Sequence, residues 1–443
     1  MRTLVVVERK DSIERDTVFD DVYLLKDPQL AQIQLDDLPQ SDNVRFHLSL
    51  RKNKDIDNDN LLSHLPLREW MGWMNRGLNI AISPINVSSM EDYKLQSENW
   101  LKKLLKNDTQ NKSKLTFFKE WWSYHSDNDD DEIEYSNIFN WLDVTIPDNI
   151  KIDNIEALEV IGDEKNIRMY IYAQISKIPR LHNSEFAIVT VNEGIAHGIR
   201  GNDDEIVKTV FPFIPHQSVS ETERFTATFL KGEPAFHPVV AFNITNFNEI
   251  LPERYNSQCQ LRIHSVIPKE YIVDVYELER SIFSDISISK CDLELPSYLV
   301  DIWGTEIDAS IDTNILGIAN GTFNFPLHLR YAEPKPDGGI VELPSFDASI
   351  YWSCQLNDTD YINTIESSFY TDKGRFPLLD GNTWAEVTHY QREYLQGHIN
   401  MPSSPPLSVP TANSNEASMV AWTTLLLVTG FFAGLVWQSM KKF

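Results

Sequence analysis

An uninterrupted apolar stretch near the carboxyl end most constrains what this chain can fold into. Residues 419–438 read MVAWTTLLLVTGFFAGLVWQ, and none of these twenty residues carries a charge. A helix of that length spans about 30 Å, which is the thickness of the hydrocarbon core of a bilayer. Trp422 and Trp437 lie near the two ends, where amphipathic rings favour the headgroup region. We therefore predict a transmembrane helix over residues 419–438.

The charges beside this stretch predict its orientation. Two lysines lie in the tail 439–443, whereas the preceding flank 402–418 contains one acid and no base. Basic residues concentrate on the cytosolic side, so we expect a cytosolic tail and a lumenal N-terminal part. Near the N-terminus, Leu4–Val7 is shorter than the apolar core of about 7–15 residues in a secretory signal. A tail-anchored protein with a cytosolic large domain is therefore the alternative topology.

The net charge excludes one class of partner. The chain contains 39 Lys and Arg against 65 Asp and Glu, which gives a formal charge of −26. Long-range steering follows the summed charge, so phosphate backbones would repel this chain. We therefore expect no nucleic-acid partner. The three cysteines are too few for a disulfide-rich scaffold or for a four-thiolate zinc site.

Period-2 alternation of apolar residues is the dominant local pattern. Every odd position of residues 323–331 is apolar, and the runs 239–245 and 259–263 alternate in the same way. Turn residues such as Pro336–Gly339 separate these short runs. The pattern predicts a mainly β fold with antiparallel, β-sandwich-like domains and a few helices.

One segment shows convincing helical periodicity. It begins after Ser88 or Ser89, either of which can cap it, and extends to about Leu105. Its apolar positions follow the i, i+3, i+4 spacing of an amphipathic helix. The residues on the predicted inner face are Tyr93, Ser97, Trp100, Leu101 and Leu104.

Sequence motifs for catalysis are missing. The chain contains no Gly-x-Gly-x-x-Gly, Walker, His-Glu-x-x-His or Gly-x-Ser-x-Gly motif. The acidic run Asp127–Asp131 could hold a divalent cation, but the sequence around it predicts no Rossmann-like strand and helix. The cluster at residues 55–60 lacks the glycine and glutamate of an EF-hand loop. His237, His264 and His328 lie in strand patterns and are interpreted as structural, so we predict no enzyme activity, no metal and no cofactor.

Cysteines and glycosylation sequons provide further candidate sites. Cys259 and Cys354 both fall on apolar strand faces, which leaves either two buried thiols or a cross-sheet disulfide, with Cys291 left over. Six Asn-x-Ser/Thr sequons occur, against about four expected by chance. The candidate N-glycosylation sites are Asn86, Asn107, Asn111, Asn243, Asn320 and Asn357.

Five short segments in order resemble the PIG-X family, the non-catalytic partner of the first mannosyltransferase of glycosylphosphatidylinositol (GPI) anchor synthesis. The segments are Leu230–Gly232 with Phe236 and His237, then Ile267–Leu278, Asp292–Leu299, Phe325–Tyr331 and Trp352–Cys354. Val275 departs from the family, since many relatives have proline there. Relatives also have cysteine at the positions of Cys259 and Cys354, so the resemblance favours the disulfide. Fungal members are similar in carrying a long N-terminal region without a cleaved signal.

The resemblance and the composition together divide the chain into five parts. These are an N-terminal β-rich lumenal region (1–215), a PIG-X-like β-sandwich domain (216–396), a flexible linker rich in Pro, Ser and Asn (397–418), the transmembrane helix (419–438) and a cytosolic tail (439–443).

The resemblance implies a single-pass protein of the endoplasmic reticulum membrane that stabilises a polytopic GPI mannosyltransferase. The partner would transfer the mannose, so the chain itself would be an accessory subunit without a cofactor. Phe325–Tyr331 and Val273–Leu278 are the expected partner-facing segments, unless they are core strand and turn. A general lumenal chaperone, a tail-anchored cytosolic adaptor and an enzyme acting through Asp129 and Asp131 are the alternatives.

Overall fold

The computed structural model contains, in the part of the chain that it describes, two large β-sheets, two two-stranded sheets and four α-helices. The described residues are 2–7, 22–39, 44–51, 77–84, 89–105, 115–118, 121–126, 135–143, 155–162, 166–179, 185–192, 195–201, 206–212, 217–230, 236–245, 259–290, 292–355, 390–400 and 407–441. The mainly β fold expected from the alternating patterns is confirmed.

The first large sheet has eleven strands from the N-terminal region. The strands are β1 (Arg2–Val7), β2 (Val22–Pro39), β3 (Val44–Arg51), β4 (Gly77–Pro84), β5 (Thr116–Phe118), β6 (Trp121–Ser126), β7 (Ile155–Gly162), β8 (Asn166–Pro179), β9 (Glu185–Asn192), β10 (Ile195–Gly201) and β11 (Ile206–Pro212). Across the sheet they follow the order β11-β10-β9-β1-β2-β8-β7-β3-β4-β6-β5. Neighbouring strands are antiparallel except β1 and β9, which run parallel.

The helix predicted in this region is confirmed as α1 (Met90–Leu105). Its cap is Ser89, whose Oγ accepts a hydrogen bond from the backbone N–H of Asp92 at 3.1 Å. Ser97, Trp100, Leu101 and Leu104 are buried, as the periodicity predicts, whereas Tyr93 is only half-buried.

A second helix, α2 (Tyr135–Leu142), was not predicted from the sequence and packs beside α1. The ring of Trp141 on α2 lies 5.1 Å from that of Trp100 on α1, which in turn lies 4.7 Å from Phe46 on β3. The two helices therefore cover the apolar face of the first sheet around β3.

The second large sheet has eight strands from the C-terminal half, and two small sheets accompany it. The eight strands are β12 (Gln217–Leu230), β13 (Val239–Ile244), β14 (Cys259–Pro268), β16 (Phe283–Ile288), β17 (Gly304–Ile311), β18 (Thr322–Pro326), β21 (Asp347–Gln355) and β22 (Tyr390–Asn400). The small sheets pair β15 (Tyr271–Ile272) with β19 (His328–Leu329) and β20 (Gly339–Glu342) with β23 (Ser408–Thr411). A short helix, α3 (Thr313–Ile318), connects β17 to β18.

The eight-stranded sheet curls over on itself. Its order is β16-β17-β14-β21-β22-β12-β13-β18, antiparallel except between β12 and β22, so β16 and β18 are its two edges. Nevertheless Phe283 on β16 lies with its ring 5.7 Å from Phe323 and 6.1 Å from Phe325 on β18. The two halves of the sheet therefore face each other across one aromatic core, which gives the domain its sandwich-like arrangement.

The two large sheets meet through a tryptophan. Trp303, directly before β17, packs against the core of the first sheet. Its Nε1 donates a hydrogen bond to the backbone carbonyl of Ser123 on β6 at 3.0 Å, and its ring lies 5.6 Å from that of His125. The strands of the first sheet end at Pro212 and those of the second begin at Gln217, on either side of the 215/216 division of the chain.

The C-terminal helix α4 (Ala417–Met440) has the properties of a membrane span. None of its residues is buried, and its apolar stretch is long enough to cross a bilayer, since 24 residues extend about 36 Å. Thr423, Thr429 and Ser439 each donate a hydrogen bond to the carbonyl four residues earlier at 2.7–2.9 Å. These hydroxyl groups are therefore satisfied within the helix, as a lipid environment requires.

The segment before α4 differs from the flexible linker predicted over residues 397–418. Strand β23 pairs with β20, and Val409 on it is buried in the domain core. The Ser414 backbone N–H donates to the Lys335 carbonyl at 2.8 Å, three residues before α4 begins. Residues 408–414 therefore anchor the segment that leads into α4 to the folded domain.

Candidate functional site

Four of the five segments that carry the family resemblance come together in the fold. Ile272 of β15 pairs with His328 of β19. The Leu329 N–H donates to the Phe236 carbonyl at 2.9 Å, and the Ser297 N–H donates to the Tyr331 carbonyl at 3.0 Å. Residues far apart in the chain thus form one site around β19.

His237 and His328 face each other across an extension of the β13–β18 ladder. Val239 pairs with Pro326, and the ladder continues because Leu327 N–H donates to the Pro238 carbonyl at 2.9 Å. This register places His237 directly opposite His328, in a pair without mutual backbone hydrogen bonds, where side chains approach most closely. Their ring centroids are accordingly 4.4 Å apart.

Glu277 reaches the same place from a turn that follows β15. The Asp274 carboxylate accepts a hydrogen bond from the Tyr276 N–H at 2.8 Å, and the Glu277 N–H donates to the Asp274 carbonyl at 3.1 Å. Val275 is the second residue of this turn. The turn brings Glu277 Oε2 to 2.9 Å from His328 Nε2.

Arg330 fastens a neighbouring loop to this site. Its buried guanidinium donates hydrogen bonds to the carbonyls of Asp292 and Leu295. Within the loop, the backbone N–H groups of Leu295 and Glu294 donate to the Asp292 carboxylate, which lowers the pKa of that group below its usual value. The loop 292–299 is therefore held by charge-assisted hydrogen bonds along β19.

An exposed apolar surface borders the site. The ring of Tyr331, which is 66% exposed, lies 4.9 Å from the half-buried ring of Phe236 and is tilted by 47° to it. The loop held by Arg330 presents further large apolar side chains to solvent. We define the apolar surface by its exposed members, which are Leu293, Leu295, Tyr298, Leu299 and Tyr331.

The two segments expected to face a partner, Phe325–Tyr331 and Val273–Leu278, each contain both buried and exposed residues. Phe325, Leu327 and Leu329 are buried in the core, as are Val273 and Leu278. The alternation predicted for residues 323–331 is correct up to position 329, and it fails at the exposed Tyr331. Most of both segments is therefore core strand and turn, the alternative stated above, with exposed residues at Tyr276, Glu277 and Tyr331.

The two candidate cysteines are joined in the structure. Cys259 at the start of β14 lies opposite Cys354 of β21, and a disulfide links them. Cys291 lies outside the described residues.

Two of the six sequons fall within the described residues. Asn243 lies on the exposed face of β13, between the buried Phe242 and Ile244. Asn320 is exposed in the turn after α3, with a φ of 53°. The sequons at Asn86, Asn107, Asn111 and Asn357 lie outside the described residues.

The other sequence candidates do not join this site. The acidic runs at Asp127–Asp131 and residues 55–60 lie outside the described residues. His264 is buried on β14 with its Nε2 3.0 Å from Glu306 of β17. The meeting of His237, Glu277 and His328 is not predicted by the sequence pattern, because each residue lies in a different segment of the chain.

Comparisons with known proteins agree with the resemblance. Residues 233–440 match the family model described as PIG-X / PBN1. The relative named Protein PBN1 of Debaryomyces hansenii is 28% identical over 266 residues, which cover 56% of this chain and 54% of that protein. Protein PBN1 of Eremothecium gossypii is 24% identical over 258 residues, which cover 58% of this chain and 54% of that protein.

A third relative extends further along the chain. Protein PBN1 of Candida albicans is 23% identical over 399 residues, which cover 83% of this chain and 80% of that protein. The first two matches span about half the length of the relatives concerned. No solved structure matches the chain significantly.

Proposed function

Because residues 233–440 match the PIG-X / PBN1 family model, we propose that the chain is a member of this family and a non-catalytic subunit of the endoplasmic reticulum membrane. In this role it stabilises the polytopic mannosyltransferase that adds the first mannose to the GPI-anchor precursor. The partner carries out the sugar transfer, and this chain supplies a lumenal surface complementary to it.

The observation that carries the proposal is the extent of the family match. It covers seven of the eight strands of the second large sheet, from β13 onward, together with the paired strand β23 and the membrane helix α4. Because residues 408–414 are anchored to the domain just before α4 begins, a partner embedded in the same membrane would meet the domain within a short distance of the bilayer. This favours a stable complex with one membrane protein over transient binding to many soluble clients.

The apolar surface is our candidate for the contact with the transferase. Five large apolar side chains are exposed on the loop 292–299 and at Tyr331, and hydrogen bonds from the buried Arg330 hold this loop in place. An ordered, exposed apolar patch is typical of an interaction site, because its residues lose little conformational entropy on binding.

Depletion of the protein followed by labelling of anchor lipids tests the proposal. We expect the unmannosylated precursor to accumulate and the transferase to fall in abundance, with both restored by the wild-type chain. Leu299→Asp should restore them poorly, since it places a charge in the apolar surface. A normal anchor-lipid profile after depletion would contradict the proposal.

Ile318→Asp is the matched control for this experiment. Ile318 is 84% exposed at the end of α3 and does not belong to the apolar surface, so the variant should restore the lipid profile fully. Affinity purification of the wild-type chain should recover one dominant multi-span protein. Recovery of many unrelated secretory proteins would instead favour the chaperone alternative.

Glycosylation at Asn320 is the expected sign of a lumenal domain. Thr322→Val removes the sequon without touching Asn320, whose left-handed backbone tolerates few other residues. The variant should migrate faster than the wild-type chain by the mass of one glycan, and peptide-N-glycosidase should abolish the difference.

Thr322→Ser is the matched control, because it keeps the hydroxyl of the sequon and should keep the glycan. Protease treatment of intact microsomes adds a second measurement, in which a lumenal domain is protected. Absence of any shift together with full protease sensitivity would support the tail-anchored cytosolic topology.

A further inference from the structure

We propose that His237, Glu277 and His328 form a binding site for a divalent transition metal, with Zn²⁺ as the best match. One ligand atom from each of these side chains lies within 4.8 Å of the other two. The site goes beyond the proposed subunit function and rests on geometry that is independent of any partner.

The distances suit a metal after a small movement of two side chains. Zn²⁺ bonds of about 2.1 Å in a tetrahedron separate neighbouring ligand atoms by about 3.4 Å. His328 Nε2 and Glu277 Oε2 are already 2.9 Å apart. His237 and Glu277 are both exposed, so their side chains can rotate to complete the coordination.

The types of ligand select the class of metal. Imidazole nitrogens favour zinc, copper, nickel and iron, whereas Ca²⁺ and Mg²⁺ prefer oxygen ligands alone. Two imidazoles and one carboxylate form a three-ligand set of the kind that binds Zn²⁺ with a fourth position left for water or another donor. Glu277 also offsets one of the two positive charges of the ion.

The backbone preorganises the set from three separate segments. His328 belongs to β19, His237 lies opposite it in the adjoining ladder, and Glu277 follows the turn at Asp274. A metal would therefore join segments that are far apart in the chain, since about 90 residues separate His237 from His328. Because these ligands are gathered only in the folded domain, bound metal should stabilise it.

Metal titration of the full-length protein tests the site. The chain should be purified in detergent with a tag that contains no histidine, stripped with a chelator and then titrated with Zn²⁺ or Co²⁺ alone. We expect one equivalent of Zn²⁺ per chain by elemental analysis, visible absorption bands of tetrahedral Co²⁺, and an upward shift of the melting temperature on Zn²⁺ addition.

Substitutions of the ligands should remove these signals. His237→Gln and Glu277→Gln should each weaken binding by at least about 100-fold, since even outer-shell changes cost about 10–100-fold. Glu279→Gln is the matched control, because Glu279 is an exposed carboxylate two residues away from Glu277 and outside the cluster. Both substituted ligands are exposed, and without metal their variants should melt at the same temperature as the stripped wild-type chain.

Two results would overturn the site. One is a wild-type chain that retains no stoichiometric metal and shows no tetrahedral Co²⁺ bands. The other is binding that persists unchanged in both ligand variants, which would place the metal elsewhere. Neither result would affect the proposed subunit function, which the anchor-lipid profile tests separately.

Discussion

Replacing Asp308 by asparagine should destabilise the eight-stranded domain by about 3–5 kcal/mol, because the change leaves a buried guanidinium without its counter-charge. Asp308 on β17 is fully buried, and its Oδ2 lies 2.6 Å from Nη2 of Arg262 on β14. Its Oδ1 accepts a hydrogen bond from the Tyr351 hydroxyl at 3.1 Å. The amide oxygen can still accept that hydrogen bond, but the amide nitrogen then faces the Arg262 Nη2 donor, so the loss combines the missing charge with one missing acceptor.

Arg262 cannot become neutral by giving up its proton when the Asp308 carboxylate is removed. Burial by itself lowers the pKa of the guanidinium, but the charge of Asp308 and the hydrogen bonds with it raise that pKa further, above its ordinary value. The group therefore stays charged at any physiological pH. Its other carboxylate neighbour, Asp285, is 2.9 Å away and mostly exposed, where water screens the interaction.

Asp285→Asn supplies the matched control for this prediction. It removes a charge from the same guanidinium at the exposed partner, and asparagine tolerates the φ of 46° at this position. We expect a loss of about 1 kcal/mol or less. Hydrogen exchange of peptides covering β14 and β17 measures both variants locally, and equal losses would contradict the buried ion pair.

The exposed and buried faces of some strands could be predicted because the pattern is local. On β13, Val240, Phe242 and Ile244 are buried and Asn243 is exposed, as the alternation indicates. The predicted helix also has the expected cap and inner face, because its signals lie within one continuous segment.

The same alternation fails on β14 for a physical reason. Leu261 and Ile263 are buried as expected, but the intervening Arg262 and His264 are buried as well. Their partners on β17 come from more than 40 residues further along the chain, at Asp308 and Glu306. A polar residue can be buried where a distant strand supplies its counter-charge. The sequence of β14 alone does not indicate how β14 pairs with β17.

The site around β19 was beyond the sequence argument for the same reason. Each of its histidines reads as an isolated strand residue, and their opposition depends on the register between residues 236–239 and 326–329. The loop that supplies most of the apolar surface is placed by Arg330, whose hydrogen bonds to loop carbonyls leave no pattern in the sequence. One signal was available in the sequence. His237, Glu277 and His328 all lie in segments that carry the family resemblance, so these segments could have been considered together as one site.

Loss of the disulfide between Cys259 and Cys354 should have an effect of similar size. The link closes a loop with a sequence separation of 95 residues, and the chain-entropy model assigns about 4–5 kcal/mol to a loop of that length. Cys259→Ala or Cys354→Ala should therefore lower the denaturant midpoint of the domain strongly in an oxidising buffer. Cys291→Ala is the control, and it should leave the midpoint unchanged.

The pattern of losses distinguishes a disulfide from two buried thiols. If the cysteines are bonded, either single substitution removes the whole constraint, so the double variant should lose little more than each single variant. If they act as separate core residues, the two losses should add. A reducing agent sharpens the test, because it should bring the wild-type chain down to the midpoint of the single variants while leaving those variants almost unchanged. Additive losses, or a wild-type midpoint that ignores the reductant, would contradict the cross-strand link between β14 and β21.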